Sequence, residues 1–122
     1  MSNILIIEDS VDVGELLREL MEINGYNTRL LLNSDKIAST LEEEVPDLII
    51  CDVVMPSMSG YQIIQFLKQH KFYKDIPLIF ISARVEEEDI RKGLNYGAQA
   101  YIKKPYKSKE LLTTVREILG EK

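Results

Sequence analysis

An α/β fold, with a five-stranded parallel sheet and helices on both faces, is what this 122-residue sequence predicts. Three observations carry that expectation. Five short apolar runs are spaced along the chain, and several are continuously apolar instead of alternating, as strands buried on both faces of a parallel sheet are. Each run is followed by apolar residues at helical spacing. The resulting β-α alternation joins strands through crossover helices, the connection that parallel neighbours require.

The first strand is expected at Ile4–Ile7 ("ILII"). Val13, Leu16, Leu17, Leu20 and Met21 then make one apolar stripe, and Asn24-Gly25 is a good C-terminal stop. The second strand is expected at Leu30–Leu32 within "NTRLLL", followed by a shorter stripe of Ile37, Ala38 and Leu41 with Ser34 as its N-cap. A third strand at Leu48–Cys51 ("LIIC") leads to a helix carrying Ile63, Ile64 and Leu67 after Gly60. The fourth, Leu78–Ile81 ("LIFI"), precedes the acidic run Glu86–Asp89, whose charges suit a helix N-terminus, and then Ile90 and Leu94. Ala100–Lys103 ("AYIK") is the fifth strand. Leu111, Leu112, Val115, Ile118 and Leu119 form the last helical stripe, with Ser108 as its expected cap.

Composition narrows the class. A hydrophobic fraction of 45% and a charged fraction of 29% fit one soluble domain, expected to span residues 1–122. No apolar run approaches the roughly 20 residues needed to span a bilayer. The start "MSNILIIEDS" lacks the basic region, apolar core and cleavage site of a signal peptide. A single cysteine, Cys51, offers no intramolecular disulfide, so the cytoplasm is the expected compartment. The net charge of −5 argues against direct nucleic-acid binding and suits a cation or a basic partner.

In a sheet of this kind ligands sit beyond the carboxyl ends of the strands. Glu8 and Asp9 follow the first run, Asp52 the third, Ser82-Ala83 the fourth and Lys104-Pro105 the fifth. The second run ends at Asn33-Ser34, which offers nothing comparable. Carboxylates crowded at one rim repel one another, and either raise their pKa values or recruit a cation. Hard oxygen ligands without histidine or cysteine suit Mg²⁺ or Mn²⁺. With Lys104 and Ser82 to hold phosphoryl oxygens, the set is that of phosphoryl transfer, and Asp52 is the natural nucleophile.

Glu8-Asp9, Asp52, Met55-Pro56 with Gly60, Ser82-Ala83, Gly97-Ala98, Tyr101 and Lys104-Pro105 stand in an order and spacing that closely resembles the receiver (response-regulator) domain of two-component signalling. The resemblance runs from Asn3 to about Leu119. It implies a doubly wound, flavodoxin-like (βα)5 fold with strand order 2-1-3-4-5. It also implies roles. Asp52 would be the phosphoacceptor and Lys104 the phosphate-contacting lysine. Asp9, Asp52 and the backbone carbonyl of Val54 would hold Mg²⁺ (or Mn²⁺), with Glu8 acting through water. Ser82 would be the switch hydroxyl and Tyr101 the switch aromatic. The Lys104–Pro105 peptide is expected to be cis. Ser82 and Tyr106 stand where threonine and phenylalanine are frequent, and Val54 and Arg84 stand where the phosphoryl lifetime is tuned. The implied partners are a histidine kinase or histidine phosphotransfer protein upstream. Downstream, a protein or output domain would read the face made by the fourth helix, fifth strand and fifth helix, and a homodimer formed on activation belongs to the same repertoire. On this reading the chain is a signalling phosphoacceptor that assists its own phosphorylation and dephosphorylation, not an enzyme, and needs neither nucleic acid nor membrane. It stops just after the last helix, so an output domain is expected outside it or not at all.

Each residue also has a plainer reading. Asp52 alone is a strand-end turn residue, and Glu8-Asp9 or Ser10 is a helix cap. Tyr101 alone is a half-buried packing residue. Strand alternation sends Cys51 to the face opposite Asp52, as a small core residue. His70, among Lys68, Gln69 and Lys71, is expected to be a solvated helix end. A haloacid-dehalogenase-type phosphatase also uses a strand-end aspartate, but needs a second acid two residues on, where this chain has Val54. A flavodoxin-like cofactor carrier is rejected, since Glu8-Asp9 would repel phosphate where that class has a hydroxyl- and glycine-rich loop.

Overall fold

Parallel strands in the order β2-β1-β3-β4-β5 form a single five-stranded sheet in the computed structural model, which describes residues 1–121. The elements follow one another as β1 (Asn3–Ile7), α1 (Val11–Ile23), β2 (Asn27–Leu31), a 3-10 turn (Ser34–Lys36), α2 (Ile37–Glu43), β3 (Leu48–Asp52), α3 (Gly60–Lys68), β4 (Leu78–Ser82), α4 (Glu87–Asn95), β5 (Ala100–Lys103) and α5 (Ser108–Ile118). The predicted strand order and alternation are both present. Among the described residues no helix is long and apolar enough to cross a membrane.

Strand alternation divides the core into two layers. Ile4, Ile6, Ile50, Ile79 and Ile81 face α1 and α5, where Leu17, Met21, Leu111 and Val115 meet them. Leu5, Ile7, Ile49, Cys51 and Phe80 face the other way, toward Ile37 and Leu41 of α2 and Ile63, Ile64 and Leu67 of α3. Burial of each such side chain favours folding by roughly 1.5–3 kcal/mol. Cys51 therefore lies in the core, as alternation predicts.

The edges depart from the expected pattern in understandable ways. β2 is an edge strand, so it pairs only with β1; it begins at Asn27 and ends at Leu31, leaving Leu32 exposed. Leu16, Ala38 and Leu94 belong to the expected stripes but face solvent, because each helix touches the sheet along a narrower arc than its apolar residues span. Two expected caps differ as well. The side chain of Asn33, not Ser34, accepts the Asp35 N–H at the start of the 3-10 turn. Lys107 occupies the cap position of α5, and Ser108 is its first helical residue. Asn24 does close α1, and Gly25 follows with φ +93°, a conformation that favours glycine.

The chain leaves β3 through residues 53–59 and turns into α3 at Gly60. That turn needs glycine, since a Cβ there would stand 2.7 Å from the Asp52 carbonyl oxygen and from the Phe80 ring. A capping box, Ser59 with Gln62, then starts α3.

Candidate functional site

The carboxyl ends of β1, β3, β4 and β5 carry the five expected side chains, Glu8, Asp9, Asp52, Ser82 and Lys104, at one rim. Glu8 follows β1 directly, and its side chain is almost fully buried. Asp52 is the last residue of β3, and Lys104 follows β5. The Lys104 Nζ stands 2.6 Å from Glu8 Oε1 and 2.8 Å from Asp52 Oδ2, bridging the two carboxylates. Asp52 Oδ1 accepts the Val54 N–H at 3.1 Å, and Glu8 Oε2 accepts the Ser10 N–H at 3.3 Å. Every oxygen of these two carboxylates thus has a partner. Ser10, rather than Glu8 or Asp9, supplies the side-chain cap of α1.

Electrostatics follow from the burial. Desolvation raises the Glu8 carboxyl above its usual range, against the opposing hydrogen bond from Lys104. Burial alone would lower the Lys104 ammonium, but its hydrogen bonds to Asp52 and Glu8 outweigh that and leave it raised. Exposed Asp9 completes the group: one oxygen from each of Glu8, Asp9 and Asp52 lies within 4.8 Å of the others. Three carboxylates against one ammonium leave two negative charges uncompensated. That donor set is all oxygen and partly open to solvent, which fits a hard divalent cation such as Mg²⁺. The Val54 carbonyl belongs to an exposed residue two positions beyond Asp52, at the same rim.

Ser82 ends β4 and is buried. Its carbonyl accepts the Lys104 N–H at 2.9 Å, which fixes the start of the Lys104 segment; the following Lys104–Pro105 peptide is cis, as expected. The Ser82 Oγ accepts the Arg84 N–H at 3.1 Å. Tyr101, on β5, donates its hydroxyl to the Arg84 carbonyl at 2.6 Å and sets its ring edge against Phe80. Arg84 was legible as a family position, but its backbone as a common partner of Ser82 and Tyr101 was not.

His70 lies past the far end of α3, away from the rim. It is half-buried, stacks on Tyr73 at 3.9 Å and accepts the Phe72 N–H through Nδ1, so it is a packing residue instead of a solvated helix end. Burial pushes the Cys51 thiol well up, as suits an inert core cysteine. Ser34, expected as a helix cap, instead hydrogen-bonds to Met58. Its contacts lie 24 residues away in the chain, and no local pattern signals them.

The chain matches the family model described as the response regulator receiver domain over residues 4–116. It is 37% identical over 116 residues to the phosphate regulon transcriptional regulatory protein PhoB of Escherichia coli strain K12, covering 95% of this chain and 51% of that protein. To the response regulator SaeR of Staphylococcus aureus strain USA300 it is 30% identical over 119 residues, covering 98% of this chain and 51% of the relative. The chain therefore spans about half the length of these curated relatives. Among solved structures, the signal receiver domain of a signal transduction histidine kinase from Syntrophus aciditrophicus matches with a TM-score of 0.90 at 35% identity, covering 98% of this chain and 91% of that one. A putative response regulator from Chloroflexus aurantiacus matches with a TM-score of 0.93 at 28% identity, covering 98% of both chains.

Proposed function

The chain belongs to the response regulator receiver domain family, and from that premise we propose that Asp52 accepts a phosphoryl group from the phosphohistidine of a histidine kinase or phosphotransfer protein. The observation that carries this reading is the Lys104 ammonium, set between Asp52 and Glu8 at the open end of the sheet.

An Asp52 carboxylate oxygen attacks phosphorus in line, forming the acyl phosphate, while the P–N bond to the donor imidazole breaks and the imidazole keeps the electron pair. Lys104 turns from the carboxylates to a phosphoryl oxygen and neutralises its charge. Asp9, Asp52 and the Val54 carbonyl would hold Mg²⁺, or Mn²⁺ in its place, with Glu8 acting through water. A divalent cation at this rim supplies positive charge to the transferring group.

The acyl phosphate adds charge and strong acceptor oxygens next to Ser82. The Ser82 hydroxyl donates to one of them by rotating toward it, and that rotation moves the oxygen that accepts the Arg84 N–H. Tyr101 is tied to the carbonyl of that same residue, so the change passes from β4 to β5 and to the start of α4. The surface that responds comprises parts of Glu86–Tyr96, Tyr101 and Tyr106–Arg116, and a downstream protein or output domain reads it, a second copy of the chain being one such reader. Shifting a two-state equilibrium from 1:99 to 99:1 takes roughly 5.5 kcal/mol of differential interaction.

Incubation with Mg²⁺ and acetyl phosphate, followed by intact mass, tests the reading. One phosphoryl adduct is expected on the wild type and none on Asp52→Asn. A wild type that stays unmodified, or an undiminished adduct on Asp52→Asn, overturns it.

A further inference from the structure

We infer that Ser34 is a positioning residue for the phosphoacceptor loop, an inference that rests on the role proposed for Asp52. Ser34 is fully buried, beyond the end of β2, a strand that gives no group to the acidic rim. Its hydroxyl makes two hydrogen bonds to a single residue of the loop between β3 and α3. Oγ donates to the Met58 carbonyl at 2.9 Å and accepts the Met58 N–H at 2.7 Å. A hydroxyl is among the few side-chain groups that can give and take at one atom.

The position of that contact gives it meaning. Residues 53–59 run from the phosphoacceptor to the first turn of α3 and carry the Val54 carbonyl. Their other hydrogen bonds among the described residues are local: Val54 to Asp52, Gly60 to Val53, Ser59 with Gln62 and Ile63. These fix the two ends of the loop against itself. Among the described residues only Ser34 ties the loop by hydrogen bonding to a different strand end, at Met58, one residue before the Ser59 cap of α3. The Ser34 hydroxyl thereby holds the path that presents the Val54 carbonyl and the Asp52 side chain together.

Ser34 is also free for this task, because Asn33 caps the 3-10 turn in its place. Alanine at position 34 would leave the Met58 N–H and C=O without their partner in a partly buried setting. The loop would then find other paths, and the rim would lose definition without losing any of its own groups. Groups hydrogen-bonded directly to metal ligands change affinity or activity by about 10–100-fold when removed, and Ser34, which acts one step further out through Met58, is expected at the lower end of that range.

The test compares wild type, Ser34→Ala and Thr40→Ala, the last a buried α2 residue that makes no hydrogen bond to the loop. Three quantities are read: exchange of the Met58 amide, the Kd for Mg²⁺ alone by calorimetry, and the rate of adduct formation with acetyl phosphate. Ser34→Ala should speed Met58 exchange, weaken Mg²⁺ by about tenfold and slow the adduct at low Mg²⁺ but much less at saturation. Thr40→Ala should leave the Mg²⁺ Kd in place even where its Tm drops as far. If Ser34→Ala does not fold, Ser34→Cys keeps the volume with a weaker donor and acceptor, and is read in the same way. An unchanged Mg²⁺ Kd and adduct rate in a folded Ser34 variant overturns the inference, as does an equal loss in Thr40→Ala. A wild type without any adduct instead overturns the role of Asp52, while Met58 exchange still reports whether Ser34 holds the loop.

Discussion

The Tyr101 hydroxyl donates to the Arg84 carbonyl at 2.6 Å, while the N–H of Arg84 donates to Ser82 Oγ at 3.1 Å. One residue of the β4–α4 connection thus links the last residue of β4 to the middle of β5. Tyr101→Phe keeps the ring against Phe80 and removes only the hydroxyl. A loss of about 0.5–1.5 kcal/mol in unfolding free energy is expected, together with faster amide exchange across residues 83–86, and adduct formation on Asp52 should persist. Unchanged exchange in that segment would show that the hydrogen bond does not hold the connection.

Lys104 answers two carboxylates at once, so its removal should be felt twice. Lys104→Met is expected to slow phosphoryl uptake by about a hundredfold, the usual effect of losing one charge-stabilising donor. It should also destabilise the fold, because Glu8 remains buried without its cation. Adding Glu8→Gln to Lys104→Met should recover stability but not phosphorylation. Chemical denaturation of the four members of this cycle separates the two effects, and a double variant no more stable than Lys104→Met would count against a Glu8 burial cost.

The acidic rim should respond to cations in opposite ways with and without Asp9. In metal-free buffer, Asp9→Asn relieves repulsion among Glu8, Asp9 and Asp52 and is expected to raise Tm. In Mg²⁺ the order should reverse. Wild type gains about 2.7 kcal/mol at a concentration 100 times its Kd, and the variant gains little. Thermal melts across a Mg²⁺ series check this; parallel gains in the two proteins would remove Asp9 from the cation site.

How far the sequence foretold this molecule depends on the range of each signal. Ile4–Ile7, Leu48–Cys51 and Leu78–Ile81 are legible because burial on both faces leaves no polar interruption. Glu8, Asp52 and Lys104 are legible as strand-end residues, and a parallel sheet puts strand ends together. β2 is less legible, since an edge strand is only half-buried and its polar residues Asn27 to Arg29 are tolerated. Ser34 was read as a helix cap, the commonest local use of a serine there, whereas its hydroxyl serves Met58, 24 residues on. His70 was read from its charged neighbours, but its ring is set by Tyr73, which those neighbours do not reveal.

Tyr26 couples the fold to alkaline pH. It is 5% exposed, and its hydroxyl donates to Glu121 Oε1 at 2.8 Å. Burial raises its pKa first, and the hydrogen bond and charge of Glu121 raise it further. A phenol whose folded pKa lies above its ordinary value of 10.0 keeps its proton more firmly when folded. Its contribution is therefore fully present below pH 10.0, and is lost as pH rises through the higher folded value. Tyr26→Phe cannot ionise. At neutral pH the variant should be less stable by about 0.5–1.5 kcal/mol, the net worth of the hydrogen bond. Above pH 10.0 the wild type should lose stability faster than the variant, so the two unfolding curves converge. Urea denaturation from neutral pH into the alkaline range measures both, and a gap that widens with rising pH would contradict the assignment.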